Sequence, residues 1–424
     1  MNWLVRHRRA LAVSVAALTA IIVVVCVAQQ LIKGDGDPVL FANAGKVLLA
    51  PPNDLYLSPI PPHNNYYYYP PFFAVLCMPL SWLPESLLLT LWALASVALL
   101  GWSLSAFYGG ITGKNYFDIE PRHRWMVIGC AAIFVLRPAI DHLRFGQINI
   151  FVLAAAVLAL LQIERRREFV PGLILGASIV TKLLLIPFAA LFLLRRKYVL
   201  LLGMAVVVVA AAALPALFVG LSRDVALHRE WFEVVFLGVS NEWTSNGNIS
   251  LAAQITRFFT TSTAFEYKGI SHAVSLAELS PSLVAALRLA VPATVLLVIG
   301  FFVFRFRNAP ALISRWGIYA LVFALVPCFS TITELPHLVL LAPAAMWVAH
   351  VIFIEKVTDR LLVSLFAAAF VLTTLTSKTF VGEYLGKAFA STGIVILGVV
   401  LLSVTVVRGL YVLQKRRSDL PGEE

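Results

Sequence analysis

The chain is 424 residues long, 60% hydrophobic and only 13% charged, with a mean hydropathy of +0.88. A soluble domain carries about 25% charged residues, so the composition excludes an ordinary set of soluble domains and points to many membrane-crossing helices. The net charge of +11 needs no nucleic acid to explain it, because the basic residues fall in short clusters between apolar runs, where they act as an orientation signal.

Arg6, Arg8 and Arg9 precede the first apolar run, near 11–29. That run lacks a small-residue cleavage site and is followed by Gln29 and Gln30, so it is read as a signal anchor that stays as the first span. Further spans are predicted near 86–108, 125–140, 148–163, 199–220, 283–304, 311–329, 337–354, 360–376 and 388–407. A tight hairpin of two short helices near 170–194 brings the expectation to about twelve helices. They form one polytopic all-α membrane domain covering 1–424. The segment 70–84 is apolar but too short to cross, and is read as re-entrant or interfacial.

With the N-terminus in the cytoplasm, one parity puts every basic cluster on the same side. These clusters are Lys114/Arg122/Arg124, Arg165–Arg167, Arg195/Arg196/Lys197, Arg305/Arg307/Arg315, Lys356/Arg360 and Arg408/Lys415/Arg416/Arg417. With the N-terminal arginines they hold most of the 33 basic residues. Both termini are therefore expected inside, in a plasma-membrane protein. The outer segments are then a first loop at 30–85, the turn Asp141–Gln147 and a large loop at 221–282. Chemistry is expected there, away from nucleotide sugars. The four cysteines (Cys26, Cys77, Cys130, Cys328) lie in apolar runs without metal-ligand spacing, and no metal site is expected.

Six groups of polar residues stand out. Asp35 and Asp37 follow the first span, and are read either as solvated loop acids or as a general base anchored at the membrane surface. Tyr66–Tyr69 is an aromatic run read as an interfacial belt, a stacking platform for sugars or head groups, or both. Arg144, Gln147 and Asn149, preceded by Arg137 and Asp141, open a span and suggest a polar cavity. Lys182, between two short apolar stretches, is read as a point charge for a phosphate or as a snorkelling lysine. Trp243 and then Asn246–Ser250, with Asn248 at its centre, cap a helix or hydrogen-bond a sugar. Glu334 and His337 lie where two spans meet, the histidine an acid/base candidate or an interfacial residue. Three classes fit: a transferase using a lipid-borne substrate, a transporter or flippase, and a lipid-linked polysaccharide polymerase or ligase. Polar residues near the outer boundary, rather than at the midplane, favour the transferase.

Several strings occur in one order: Tyr69-Pro70-Pro71-Phe72-Phe73-Ala74 with Pro79 and Trp92, Phe145-Gly146-Gln147-Ile148-Asn149, Gly172…Gly176…Lys182…Pro187, and Gly247-Asn248-Ile249-Ser250-Leu251. That order, across roughly 30–345, resembles the polyprenol-phosphate-mannose-dependent α-1,2-mannosyltransferase-like family, glycosyltransferases of GT87 type with the GT-C membrane fold. The resemblance implies transfer of a sugar from a polyprenyl-phosphate donor to a lipid-linked glycan on the outer side, with inversion. The donor is a co-substrate, so no cofactor is expected. The partners are donor, glycolipid acceptor and membrane lipids.

Carried over residue by residue, the resemblance makes Asp37 the first choice for base or acceptor-orienting carboxylate, with Asp35 as fallback. Tyr69, Arg144, Gln147 and Asn149 would line the head-group cavity. Lys182 would hold the donor phosphate, and Asn248 would contact a sugar. The chain departs from the family at Ser330–His337, where one histidine of a usual pair remains and Glu334 replaces a tryptophan. Both Asp37 and His337 therefore stand as candidate bases.

Overall fold

The computed structural model describes residues 8–34, 36–50, 54–62, 65–237, 247–306 and 311–418, with the backbone alone for 8–12, 236–237 and 417–418. Asp35, Trp243, Asn246, Arg6 and Arg307 lie outside the described residues. The first part of the chain forms α1 (Arg8–Lys33), α2 (Asp37–Leu49), α3 (Pro71–Cys77, continued by a 3-10 turn to Trp82) and α4 (Glu85–Thr112). Then come α5 (Pro121–Phe134), α6 (Leu136–Phe145), α7 (Asn149–Glu164), α8 (Phe169–Thr181), α9 (Ile186–Leu194) and α10 (Tyr198–Ala213). The expected large loop carries α11 (Leu221–Phe232), α12 (Leu251–Phe259) and a hairpin of β1 (Thr263–Tyr267) and β2 (Ile270–Ala273). The chain closes with α13 (Pro281–Arg305), α14 (Leu312–Phe329), α15 (Ala342–Phe353, entered through 3-10 turns from Leu335), α16 (Arg360–Phe370), α17 (Lys378–Ser391) and α18 (Ile394–Ser418).

Fewer helices than the expected twelve are long enough to span by themselves. Among the described residues seven helices are long and apolar enough to cross a membrane, or nine if each of two bent pairs counts as one span. The difference is length. Helix α7 has 16 residues and α8 has 13, about 24 and 20 Å at 1.5 Å per residue against an apolar thickness of about 30 Å. Hydropathy counts them because they are apolar, but their apolarity serves packing inside the bundle. The 70–84 segment is, as expected, a helix of Pro71–Trp82 too short to span. It packs on α2 through Phe73 and Phe41, whose rings meet edge-on at 5.0 Å.

The centre of the bundle is α14 with the Leu335–Phe353 span, whose residues are mostly buried, while α1 and α13 turn most of their apolar surface outward. Trp316 and Trp347 fill this centre. The indole of Trp347 donates to the Ile313 carbonyl at 2.8 Å. Trp316 sits edge-on to Phe107 at 4.8 Å.

Two breaks shape the site. Helices α5 and α6 meet at 58°. Pro138 has no N–H to donate to the carbonyl of Phe134, and that carbonyl accepts from the Thr374 hydroxyl at 2.9 Å instead. Thr374 belongs to a π-helical turn at Val371–Leu375, after which α17 departs at 86°. Each break thus stabilises the other, and both turn polar residues toward one cavity.

Helices α8 and α10 approach closely because glycine faces glycine. A Cβ on Gly172 would lie 2.2 Å from the Leu200 carbonyl oxygen, and one on Gly203 would lie 2.5 Å from the Phe169 carbonyl oxygen. Gly172 and Gly176 are four residues apart, the small-residue spacing that lets membrane helices touch backbone to backbone. A Gly172→Val variant is therefore expected to lose about 1–3 kcal/mol, as overpacked cores do. A lowered melting temperature in detergent checks this.

At one end of the bundle, three basic loops meet. Arg315 donates to Glu164 at 3.0 Å, Tyr319 donates to the same carboxylate at 3.2 Å, and Arg195 donates to the Tyr319 hydroxyl at 3.3 Å. The candidate site residues lie at the opposite ends of the same helices. Asn149 begins α7 where Glu164 ends it, and Glu334 follows α14 where Arg315 begins it.

Candidate active site

A cavity of about 1400 Å³ opens between α2, α6, the α8–α9 break, the segment after α14, and α17. Asp37, Tyr69, Arg144, Gln147, Lys182, Glu334 and His337 all line it. These seven residues, all named from the sequence, are thus brought to one wall system, together with Arg137 and Asp141. Asn149 and Asn248 lie directly behind, both buried.

Hydrogen bonds run through these residues in one direction. The Lys182 ammonium donates to Asn149 Oδ1 at 2.9 Å. Asn149 Nδ2 donates to Gln147 Oε1 at 2.6 Å. Gln147 Nε2 donates to Glu334 Oε2 at 2.7 Å. A cation, two aligned amides and an anion make a chain in which each bond polarises the next. The chain holds the Glu334 side chain in place, its Oε2 accepting from Gln147.

Asp37 opens α2, with Pro38 in the first helical turn. The fixed φ of proline favours that turn, and the positive end of the helix dipole favours a carboxylate there. One turn on, Phe41 is fully buried. Its ring meets those of Tyr69 at 4.9 Å and Trp92 at 5.8 Å. The Trp92 indole donates to the Gln147 carbonyl at 3.4 Å. This aromatic cluster therefore couples the helix bearing Asp37 to the polar turn before α7. Gln30, in the last turn of α1, donates to the Leu143 carbonyl at 2.8 Å, a bond that the sequence does not reveal.

The charges of Asp37 and Glu334 both act on Lys182, so one ammonium is faced by two carboxylates. Lys182 Nζ also lies 5.8 Å from the centre of the Tyr69 ring. The Tyr69 hydroxyl is pushed well above its ordinary value, first by burial and then by the carboxylates of Asp37 and Glu334. It stays protonated as a donor in the cavity.

His337 is committed to the backbone. Its Nδ1 accepts from the Glu334 N–H at 2.7 Å, while the Glu334 carboxylate accepts from the backbone at His337 in return. This is a reciprocal cap at a helix start. With Nδ1 accepting, the neutral ring carries its proton on Nε2, which can donate but cannot take a further proton at that atom.

Asn248 is a clamp. Its side-chain oxygen accepts from the N–H groups of Ser250 at 3.0 Å and Thr333 at 3.1 Å, and its amide donates to the Thr331 carbonyl at 3.2 Å. Ile249 N–H donates to the Thr333 carbonyl at 2.6 Å. The segment before α12 is thus laced to the residues that carry Glu334. Both ends of the Asn248 amide face the main chain, which gives it a positioning role at this segment.

Sequence reasoning missed Lys378 and Lys387, which α17 brings to the cavity. The only local signal is Ser377, the residue before α17, in a position favoured for starting a helix.

No curated protein matches the chain. The model of glycosyltransferase family 87 matches residues 67–327, which takes in Tyr69, Arg144, Gln147, Asn149, Lys182 and Asn248 and leaves Asp37, Glu334 and His337 beyond its ends. With more than half of its 424 residues matched, the chain belongs to glycosyltransferase family 87 and is a membrane glycosyltransferase.

Proposed function

We propose that the protein transfers a sugar, mannose by family resemblance, from a polyprenyl-phosphate donor to a hydroxyl of a lipid-linked glycan, with inversion, on the extracytoplasmic face of the plasma membrane. The observation that carries this is the pair of carboxylates, Asp37 and Glu334, beside Lys182 and Tyr69 in a cavity walled by apolar helices. Sugar hydroxyls suit the amides and the Tyr69 hydroxyl, and a prenyl chain suits the apolar walls. The basic loops, clustered at the far end of the bundle, support an outward-facing site with both termini cytoplasmic.

Asp37 takes the proton of the acceptor hydroxyl as that oxygen bonds to the anomeric carbon. The bond from the anomeric carbon to the phosphate oxygen breaks, and its electrons leave with polyprenyl phosphate. One base and one leaving group on opposite faces of the sugar give a single displacement and inversion. Glu334, fixed by Gln147 and the His337 cap, stabilises positive charge on the ring. A polymerase or ligase acting on a pyrophosphate-linked oligosaccharide would instead depend on outer-loop arginines such as Arg223, Arg229 or Arg257. Arg223 pairs with Glu230 at 2.5 Å, Arg229 pairs with Glu233 at 2.8 Å, and Arg257 is fully buried. None of the three lines the cavity.

The test is transfer in isolated membranes supplied with radiolabelled polyprenyl-phospho-mannose or GDP-mannose. Glycolipid product from the first alone is the expected result. Product from the nucleotide sugar in membranes that cannot make the polyprenyl donor overturns the reading. Flux of a sugar lipid into sealed vesicles without product supports a flippase instead.

His337 provides a graded test. His337→Ala removes one half of a cap worth about 1 kcal/mol, so transfer is expected to fall by no more than roughly tenfold. His337→Asn, whose amide can accept the same N–H, is expected to recover most of it. A fall of about 10³-fold in both variants marks His337 as the base.

A further inference from the structure

The cavity carries two charge groups of opposite balance. In the first, Lys182 is faced by Asp37 and Glu334 and donates to Asn149. A phosphate brought there meets two carboxylates for one ammonium. In the second, Arg137, Arg144 and Lys378 all act on a single carboxylate, Asp141. Lys387, on the same wall, pairs with Glu383 at 2.9 Å. The first group is net negative and the second net positive.

Helical spacing builds the second group. Residues 137, 141 and 144 fall four and then three positions apart on α6, so they share one face. Arg137 is held by the Thr373 carbonyl at 3.4 Å, which uses one of its five donors. Arg144 has its guanidinium 5.5 Å from the centre of the Phe145 ring, and among the described residues it donates no hydrogen bond. Two planar guanidinium forks and an ammonium are the donor set that suits a phosphate. The apolar track needed for a lipid chain continues from them. Ile133, Leu136 and Ile140 line the same wall, and Ile133 and Leu136 are exposed.

We propose that the Arg137–Arg144–Lys378 wall, and not Lys182, binds the phosphate of a lipid monophosphate, the donor, with its prenyl chain along Ile133, Leu136 and Ile140. Lys182 is then a positioning residue that holds the two carboxylates near the sugar ring, which develops positive charge while the phosphate departs toward the arginines. This assignment rests on the polyprenyl-phosphate reading above. A phospholipid head group offers the same phosphate chemistry, so the test separates the two sources.

The experiment measures binding of undecaprenyl phosphate and of uncharged undecaprenol to the full-length protein in detergent, by quenching of tryptophan fluorescence. Arg137→Gln with Arg144→Gln is expected to weaken undecaprenyl phosphate on the order of 100-fold, through two charge-assisted contacts. Undecaprenol binding stays unchanged, which reports an intact fold. Arg137→Lys with Arg144→Lys is expected to restore most of the phosphate affinity. Lys182→Gln is expected to leave that affinity within about threefold of wild type while lowering kcat. If Lys182→Gln weakens phosphate binding more than the double arginine variant, the assignment is overturned and the donor reading stands. If dioleoyl phosphatidylinositol displaces undecaprenyl phosphate at equal concentration, the wall is a phospholipid site and the assignment is again overturned. If the wild type does not prefer undecaprenyl phosphate to undecaprenol, the polyprenyl-phosphate reading falls with it.

Discussion

The Asp37→Asn variant is expected to insert, fold and bind donor, yet to transfer sugar on the order of 10³-fold more slowly than wild type. Asparagine keeps the shape of the side chain and is well tolerated at the start of a helix, so α2 should form as before. The packing that seats this helix comes from Phe41 and its contacts with Tyr69 and Trp92, which the substitution does not touch. What is lost is the ability to take a proton. Glu334 cannot readily replace it, because one of its oxygens is engaged by Gln147 and the residue is tied into the His337 cap. The companion variant Glu334→Gln should be milder, and Asp35→Asn milder still. Turnover of polyprenyl-phospho-sugar in membranes, normalised to folded protein, checks all three. Full activity in Asp37→Asn with loss in Glu334→Gln would move the base to Glu334.

Much of this site is legible in the sequence for a physical reason. Charged and amide side chains are costly within an apolar chain, so each one that remains in or beside an apolar run has a partner or a cavity. Asp37, Gln147, Lys182, Glu334 and His337 stand out on that ground alone, and they do meet. What each does is not legible, because it depends on partners far away in sequence. Lys182 reads as a point charge in the sequence, and only the fold shows that the charges of Asp37 and Glu334 act on it. For Asn248 the sequence offers both a cap and a sugar contact, and only the fold shows Thr331 and Thr333 bonded to its amide. The span count raises a different question. Apolar residues in α7 and α8 answer to neighbouring helices, and a hydropathy window cannot tell a helix facing lipid from a short helix packed among others. Arg137 and Asp141 were visible beside the polar turn, but their union with Lys378 depends on the 86° turn into α17.

The second large effect is expected at a residue with no chemistry of its own. Gly146 ends α6 with φ +67°. A Cβ at this position would lie 2.4 Å from Pro38 Cδ and 2.9 Å from Gln30 Oε1. Pro38 is the neighbour of Asp37, and Gln30 holds α6 through the Leu143 carbonyl. Alanine would therefore push the first turn of α2 away from the polar turn, and Asp37 would move with it. A misplacement near 1 Å in a reacting group costs about 10²-fold. The Gly146→Ala variant is thus expected to lose transfer by about that factor, with donor binding nearly intact. The left-handed backbone also makes alanine less stable by about 1 kcal/mol, so a control is needed. Gly113 supplies one. It ends α4 with φ +69°, and a Cβ there meets only the flexible Leu312 side chain, at 2.8 Å. Gly113→Ala carries the same backbone strain at a helix end away from the cavity, so it should lower the melting temperature and leave kcat unchanged. If the two variants lose transfer equally, the effect of Gly146 is stability alone. If only Gly146→Ala does, the close contact between Gly146 and Pro38 is what sets the distance between the base and the sugar.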